Sequence, residues 1–574
     1  MSSSGSKPQY RSRVDKDVRI SMRDGTRVAV NIHRPDTDGQ FPALYAVSPY
    51  GKDNYLLPEI ASFRGRENGR PDWWAEHGYV YVHADTRGAF HSEGTWKFFD
   101  HHEQEDMYDT IEWTAAQPWC SGKVGMIGES YYGAVQWVAA TQHPPHLACI
   151  APYDGWADMY RDLVFQGGIF SQAFIAFLET EIKAMSTVAL GTSPSSASLQ
   201  EPPYDVSGNA LRHSTDDEFW QERSAFFGLD KVTIPVYSIG NWQMLALHTR
   251  GNLRGFQEVK GPKKLAMFGE VPRIGDAIDI PDYLLPLHVP QYLFASPFIQ
   301  EELMRWYDYW LKGVQNGIMD EPPVKYVVRP TGELRETTAW PVPGVEHREL
   351  YLGLGRSGAV NSLNDGSLSW KRPEADVAPT EFSYPQKEWG GWAGLGTAVY
   401  QPHAAPDTIG KILTFVSEPL EEDLEIIGPI VLNLWASSDQ IDTEFIVKIC
   451  DQSPAYPGVA DADMAPYAPP VSRGWLRASH RALDPARSTF DQPFLTHTDP
   501  QPLTPGKIEK LSIEIWPTSW VFQRGHRIRL DMANGDNPIS DSPFTHYYGF
   551  KMGTDLIFHD RDHQSHILLP VRPA

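Results

Sequence analysis

The chain has 574 residues, of which 41% are hydrophobic and 12% aromatic, enough material for several buried cores in two to four domains of about 100 to 200 residues each. This composition excludes a disordered or fibrous protein. A net charge of −23 sets the mean field against a nucleic-acid backbone or an anionic membrane as partner.

Cys120, Cys149 and Cys450 are too far apart to read as a metal-ligand or disulfide framework. A reducing compartment is therefore expected, with no metal or other cofactor. The N-terminus "MSSSGSKPQYRSRVDKDVRI" lacks the apolar core of a signal peptide, and no run of 18 apolar residues occurs. Together these predict a soluble, cytoplasmic protein whose first ten residues form a disordered lead-in.

From about residue 14 the chain alternates strand-like runs with turn chemistry: "DVRISM", "RDGTRVAVNIHRP", "FPALYAVSPYGK". The "DG" is a hairpin signal, and "ALYAVSP" is short, apolar and stopped by proline, as a buried strand should be. "YVYVHADTRG" and "KVGMIGES" are further buried strands. Between them "DHHEQEDMYDTIEWTAAQPW" spaces Met107, Ile111, Trp113 and Ala115 roughly as a helix would, with acids near its start where the dipole favours them. "YGAVQWVAATQH" reads as another helix, and the order predicts a parallel α/β sheet.

Residues from about Asp158 to Asp230 break that rhythm with helical stretches around the Ser/Pro-rich "GTSPSSASLQEPP". An inserted helical cap is expected there. The α/β pattern returns with "KVTIPVYSIGNW", "KKLAMFGE" and the amphipathic "FIQEELMRWYDYWLKG". After Gly317, short β-rich runs separated by Pro, Gly and Thr predict a β-sandwich.

Within "MIGESYYG", residues 126 to 133, the G-x-S-x-G spacing marks a nucleophile elbow. Such a sharp strand-to-helix turn lifts a serine hydroxyl out of the backbone and makes Ser130 the candidate nucleophile. A serine alone is a poor nucleophile, so the chemistry depends on what surrounds it.

With these stretches laid out, the chain resembles the serine hydrolases related to cocaine esterase, α-amino acid ester hydrolases and X-prolyl dipeptidyl peptidases. The matching stretches include "SPYGK", "DTRGAFHSEG", "QPWCSGKVGMIGESYYG", "PPHLACIAPYDGWADMYRD", "GNWQMLALHTRGN", "SEPLEEDLEIIGPIVLNLWASS" and "GHRIRL". The resemblance implies an α/β-hydrolase domain over 1–157 and 230–318, a helical cap over 158–229, and a C-terminal jelly roll over 319–574. It also implies that Ser130 is the nucleophile, that Tyr131 offers its backbone N–H to the oxyanion, and that the Tyr50 hydroxyl completes the oxyanion hole. The jelly roll offers a surface for a homodimer.

Two positions depart from the family pattern. Met244 stands where the triad aspartate is expected, and "LAMFGEVPRIGD" puts Pro272 near the place of the triad histidine. Asp154, at a strand end, is the first candidate for a relocated acid, with Asp158 next. Helix capping is the structural alternative for both. For the base, His248 leads, followed by His288, while Glu270 could serve if burial raised its pKa.

The remaining motifs are expected to be structural: "HHEQED" as the start of a surface helix, "DADMAP" and "EEDLE" as solvated loops, and "YRD" of 160–162 as an ion pair at the cap hinge. Three functions fit. The first is a serine hydrolase acting on a small-molecule ester or amide through Ser130, with its acid and base replaced. The second is a non-hydrolytic enzyme, for C–C bond cleavage or formation, decarboxylation or elimination, that uses the oxyanion pocket for an enolate. The third is a noncatalytic small-molecule binder.

Overall fold

The computed structural model describes residues 5–53, 67–183, 204–269, 297–355, 366–384, 412–454, 468, 470–536, 545–547 and 551–573. The first strands are β1 (Ser12–Ser21), β2 (Arg27–Pro35) and β3 (Phe41–Ser48), followed by helix α1 (Pro71–Glu76) and β4 (Val80–Asp85). Helix α2 (His101–Ala115), β5 (Cys120–Glu129), α3 (Tyr131–Thr141) and β6 (Leu147–Tyr153) come next. An insert carrying the small hairpin β7 (Phe165–Gln166) and β8 (Ile169–Phe170) precedes β9 (Val236–Asn241) and β10 (Lys263–Phe268).

These strands form one sheet in the order β1-β2-β4-β3-β5-β6-β9-β10, extended by β11 (Val324–Val328) and β12 (Glu333–Thr337). From β4 to β11 neighbouring strands run parallel, so side chains alternate between two covered faces. In β3, Ala43, Tyr45 and Val47 enter one core cluster with Met107 and Ile111 of α2, whereas Leu44 and Ala46 enter the opposite one with Trp74 and Trp306. Helix α3 is buried from Tyr131 to Ala140, which explains why "YYGAVQWVAA" is apolar all round instead of striped.

Between β6 and β9 the described residues form a π-helical turn (Met159–Val164), the β7–β8 hairpin, and short helices at Gln172–Phe177, Val206–Arg212 and Glu218–Arg223. The "YRD" expectation holds: Arg161 Nη1 lies 2.9 Å from Asp158 and 2.8 Å from Asp216, and Asp162 lies 2.7 Å from Arg250.

Two expectations change beyond residue 318. "VKYVVRP" is β11, and with β12 it hydrogen-bonds onto the first sheet, so that sheet continues to Thr337. The C-terminal part is β-rich, and among the described residues eleven strands trace a single sheet that closes where strand Leu424–Ser438 pairs with His566–Val571. This is a barrel-like closure and not a clear jelly roll. Closing the sheet covers edges that would otherwise expose unpaired backbone groups.

The two units share a buried ionic contact. Glu514 Oε2 lies 3.0 Å from Arg250 Nε, and Glu514 Oε1 lies 3.0 Å from Arg254 Nη2. Arg250 in turn binds Asp162. Removing one partner of such a network strands buried charge. Glu514→Gln is therefore expected to lower the unfolding free energy by about 3 kcal/mol in a urea titration.

Candidate active site

The strand β5 ends in a turn that forces Ser130 to φ 63° and ψ −117°, a left-handed conformation that non-glycine residues rarely adopt. Two backbone groups fix it: the Ser130 N–H donates to the Tyr153 carbonyl at 2.9 Å, and the Glu129 N–H donates to the Glu67 carbonyl at 2.7 Å. Glycine makes the turn possible. A Cβ on Gly133 would stand 2.3 Å from the Tyr153 oxygen, and one on Gly155 would stand 2.7 Å from the Gly133 carbonyl carbon.

Around this elbow Tyr131 and Tyr50 come together. Their rings meet edge to face at 5.8 Å, and Tyr50 makes a similar contact with Tyr132 at 5.9 Å. The Tyr131 N–H sits at the first turn of α3, where backbone donors have no intrahelical acceptor. Tyr50 thus packs its ring against the two residues that follow Ser130.

Asp154 lies one residue beyond the carbonyl that holds Ser130, at φ 42°. It is completely buried, no described side chain hydrogen-bonds its carboxylate, and the Asn241 backbone is the polar group that faces it. It does not cap a helix, whereas Asp158 does, accepting from the Arg161 N–H at 3.0 Å. Burial pushes the Asp154 pKa far above the ordinary carboxylate range. Glu129, immediately before the nucleophile, is raised in the same way by burial and then by the nearby charges of Asp154 and Glu67. Two carboxyls with no cation beside them repel one another as anions in a dry site, which drives both pKa values upward.

His248 also reaches the neighbourhood, but not as a triad base. Its ring stacks on Trp156 at 5.5 Å and 7°, and Trp156 in turn meets Tyr131 at 6.0 Å. It is fully buried, and neither ring nitrogen has a partner among the described residues. Asp154 and His248 therefore do not form an acid–base pair. Burial alone drops the His248 pKa to about 3, which keeps the imidazole uncharged. Met244 is buried in the turn after β9, where it leaves that turn without a carboxylate at its position. Glu270, Pro272 and His288 lie outside the described residues.

Four polar residues escaped the sequence reading. Glu103, in the stretch read as a surface helix, is buried and accepts a 2.6 Å hydrogen bond from the Tyr131 hydroxyl. The signal was present as Asp100-x-x-Glu103, the spacing of a capping box. Glu129 stands inside the G-x-S-x-G motif itself. Asp536 and His546, 2.9 Å apart, come from the C-terminal unit, and His546 Nε2 faces Gln166 Oε1 at 2.9 Å. Gln166 donates to the Ala246 carbonyl at 2.9 Å, so this pair fastens the turn after β9. No local spacing could reveal it.

One group with metal-ligand character occurs among the described residues: Asp17, Asp53 and His91. Lys52 Nζ stands 2.7 Å from Asp17 and 2.9 Å from Asp53, so an ammonium already supplies the positive charge there. No described helix is long and apolar enough to cross a membrane.

A strained serine between a parallel strand and a buried helix, on this strand order, defines an α/β hydrolase. Residues 24–269 match the X-Pro dipeptidyl-peptidase (S15) family, and residues 316–567 match the X-Pro dipeptidyl-peptidase C-terminal non-catalytic domain. Cocaine esterase of Rhodococcus sp. (strain MB1 Bresler) is 27% identical over 624 aligned positions, covering 97% of this chain and 98% of that protein. A CocE/NonD family hydrolase from Staphylococcus aureus superposes with a TM-score of 0.77 at 25% identity, over 97% of this chain and 93% of that one. An α-amino acid ester hydrolase shares the fold with a TM-score of 0.72 at 20% identity, over 98% and 97% of the two chains. The chain belongs to this family of serine esterases and peptidases, and it is a hydrolase-class enzyme with a separate C-terminal non-catalytic domain.

Two consequences follow from the packing. Gly133→Ala drives a methyl group into the Tyr153 backbone and is expected to cost about 3 kcal/mol or more, read as a lowered Tm. The folded His248 imidazole stays neutral down to about pH 3, while the unfolded one takes a proton near pH 6.5. Its stabilising contribution is complete above pH 6.5 and is lost as pH falls toward 3. His248→Leu should remove up to about 1.4 kcal/mol per pH unit from the slope of unfolding free energy between pH 4 and 6.

Proposed function

We propose that the enzyme cleaves an ester or amide of a small molecule through an acyl-enzyme on Ser130, with the Tyr131 N–H and the Tyr50 hydroxyl receiving the oxyanion. The observation that carries this reading is the Ser130 backbone at φ 63°, ψ −117°, a strained turn that places the serine at the start of α3. The Ser130 oxygen bonds to the acyl carbon as its O–H breaks and the carbonyl electrons move to oxygen between the two donors. The bond to the alcohol or amine then breaks, and that group leaves with the proton lost by Ser130; water cleaves the acyl-serine, giving its OH to the acid and a proton back to Ser130.

Asp154 is the carboxyl we assign to the acid position, because it adjoins the carbonyl that holds Ser130 and no described side chain hydrogen-bonds its buried oxygens. His248 is not assigned as the base. An imidazole with a pKa near 3 accepts a proton poorly at neutral pH, and no carboxylate orients it.

A second reading, carbon–carbon bond chemistry, decarboxylation or elimination on an enolate held by the same donors, is favoured by one feature: Met244 in the turn where the family places its acid. Turnover of a p-nitrophenyl ester separates the two. The serine reading expects Ser130→Ala to lower kcat by at least about 10³-fold and Tyr50→Phe by about 10²-fold. Activity on a substrate that survives Ser130→Ala but falls in Tyr50→Phe supports the second reading instead.

A further inference from the structure

We propose that Glu103 is a positioning residue for the oxyanion pocket: its carboxylate fixes the ring of Tyr131 and, through that ring, both the Tyr131 N–H and the Tyr50 hydroxyl. This rests on the reading of Ser130 as the nucleophile.

The geometry begins at the phenolic oxygen of Tyr131. Trp96 Nε1 donates to it at 3.0 Å, so its own proton is directed to Glu103 Oε1 at 2.6 Å. The same carboxylate oxygen accepts from Thr86 Oγ1 at 3.0 Å, and Oε2 accepts from the Phe99 N–H at 2.7 Å. Glu103 is itself held, because its N–H donates to the Asp100 side chain at the start of α2. Tyr131 is therefore pinned at the far end of its ring by a carboxylate with three donors.

The ring faces are also occupied. Phe99 stands 4.6 Å from Tyr131 and Trp156 6.0 Å, while Tyr50 leans on it edge to face at 5.8 Å. Anchored at its far end, the Tyr131 side chain restrains the residue that opens α3, and a shift of the ring would remove the surface that Tyr50 rests on. A donor misplaced by about 1 Å loses about a hundredfold in rate, so an anchor of this kind acts on kcat without touching substrate. Hydrogen bonds to the ionised carboxylate are the stronger ones.

The groups facing Glu103 are Asp100 on its own helix, Tyr131 from α3, and Tyr45 from β3, with the Arg87–Asp106 pair one turn further on. Burial raises the Glu103 pKa to about 7, against the pull of its hydrogen bonds, and Asp100 adds to the rise. The anchoring bond is thus charge-assisted above about pH 7 and weakens below it. This gives the wild-type enzyme an acid limb in kcat near pH 7.

The test compares wild type, Glu103→Gln, Glu103→Leu, Tyr131→Phe and Ser130→Ala with a p-nitrophenyl ester, recording kcat and KM from pH 5.5 to 9. Glu103→Leu and Tyr131→Phe are expected to lower kcat by about 10- to 100-fold with KM held within about threefold. Glu103→Gln, which keeps an acceptor for the Tyr131 hydroxyl, should recover most of kcat and lose the limb near pH 7. Tyr131→Phe removes a donor from the carboxylate and should move that limb to higher pH. Should Glu103→Leu not fold, Tyr131→Phe, which deletes one oxygen, carries the test alone. Unchanged kcat and an unmoved limb in Tyr131→Phe and Glu103→Gln, with Ser130→Ala inactive, overturn the Glu103 assignment alone. Turnover that survives Ser130→Ala overturns the serine reading and this inference with it.

Discussion

Everything at this site depends on how closely three backbone segments approach beneath Ser130. Gly133 at the start of α3 and Gly155 after β6 meet with no room for a methyl group, and Gly251 in the helix Thr249–Glu258 closes on the Trp156 and Ala157 backbone in the same way. Removing three side chains from one crossing lets a helix start, a strand end and a second helix converge. The Asn252 side chain locks the crossing by accepting from the Gly155 N–H at 3.0 Å and donating to the Pro152 carbonyl at 3.2 Å. The strained Ser130 conformation is the consequence.

That crossing also explains the unusual electrostatics. Asp154 and Glu129 are carried into the dry interior by the strand ends that form the elbow, and no cation is hydrogen-bonded to either of them among the described residues. Burying unpaired carboxyls is expensive, and proteins tolerate such cost mainly where chemistry is done. By contrast, the charges at the junction with the C-terminal unit, Arg161, Arg250, Arg254 and Glu514, are all matched. Matched charge fastens the domains, and carboxyls without a cation sit at the elbow.

Much of this was legible in the sequence. The buried strands, the elbow at Ser130 and the change to β structure rest on local spacing, which a single chain displays, whereas the substitution at Met244 shows only against the family pattern. The role of Glu103 was not, because "HHEQED" has the composition of a solvated helix start and nothing in its period says that Glu103, Gln104 and Asp106 turn inward. Nor was the assignment of β11, whose "VKYVV" fits either sheet. Asp154 and His248 were found by position, but their failure to pair is a matter of direction, fixed by the flat stacking of His248 on Trp156. Asp536 and His546 reach the turn after β9 from the far end of the chain, beyond any local signal.

The account stands on Ser130 forming a covalent bond. Intact-mass spectrometry after exposure to a fluorophosphonate, followed by peptide mapping, tests it directly. A single adduct on the peptide containing "GESYYG", absent from Ser130→Ala, is the result expected. A folded wild-type protein that gains no mass, or gains it on another residue, would contradict it.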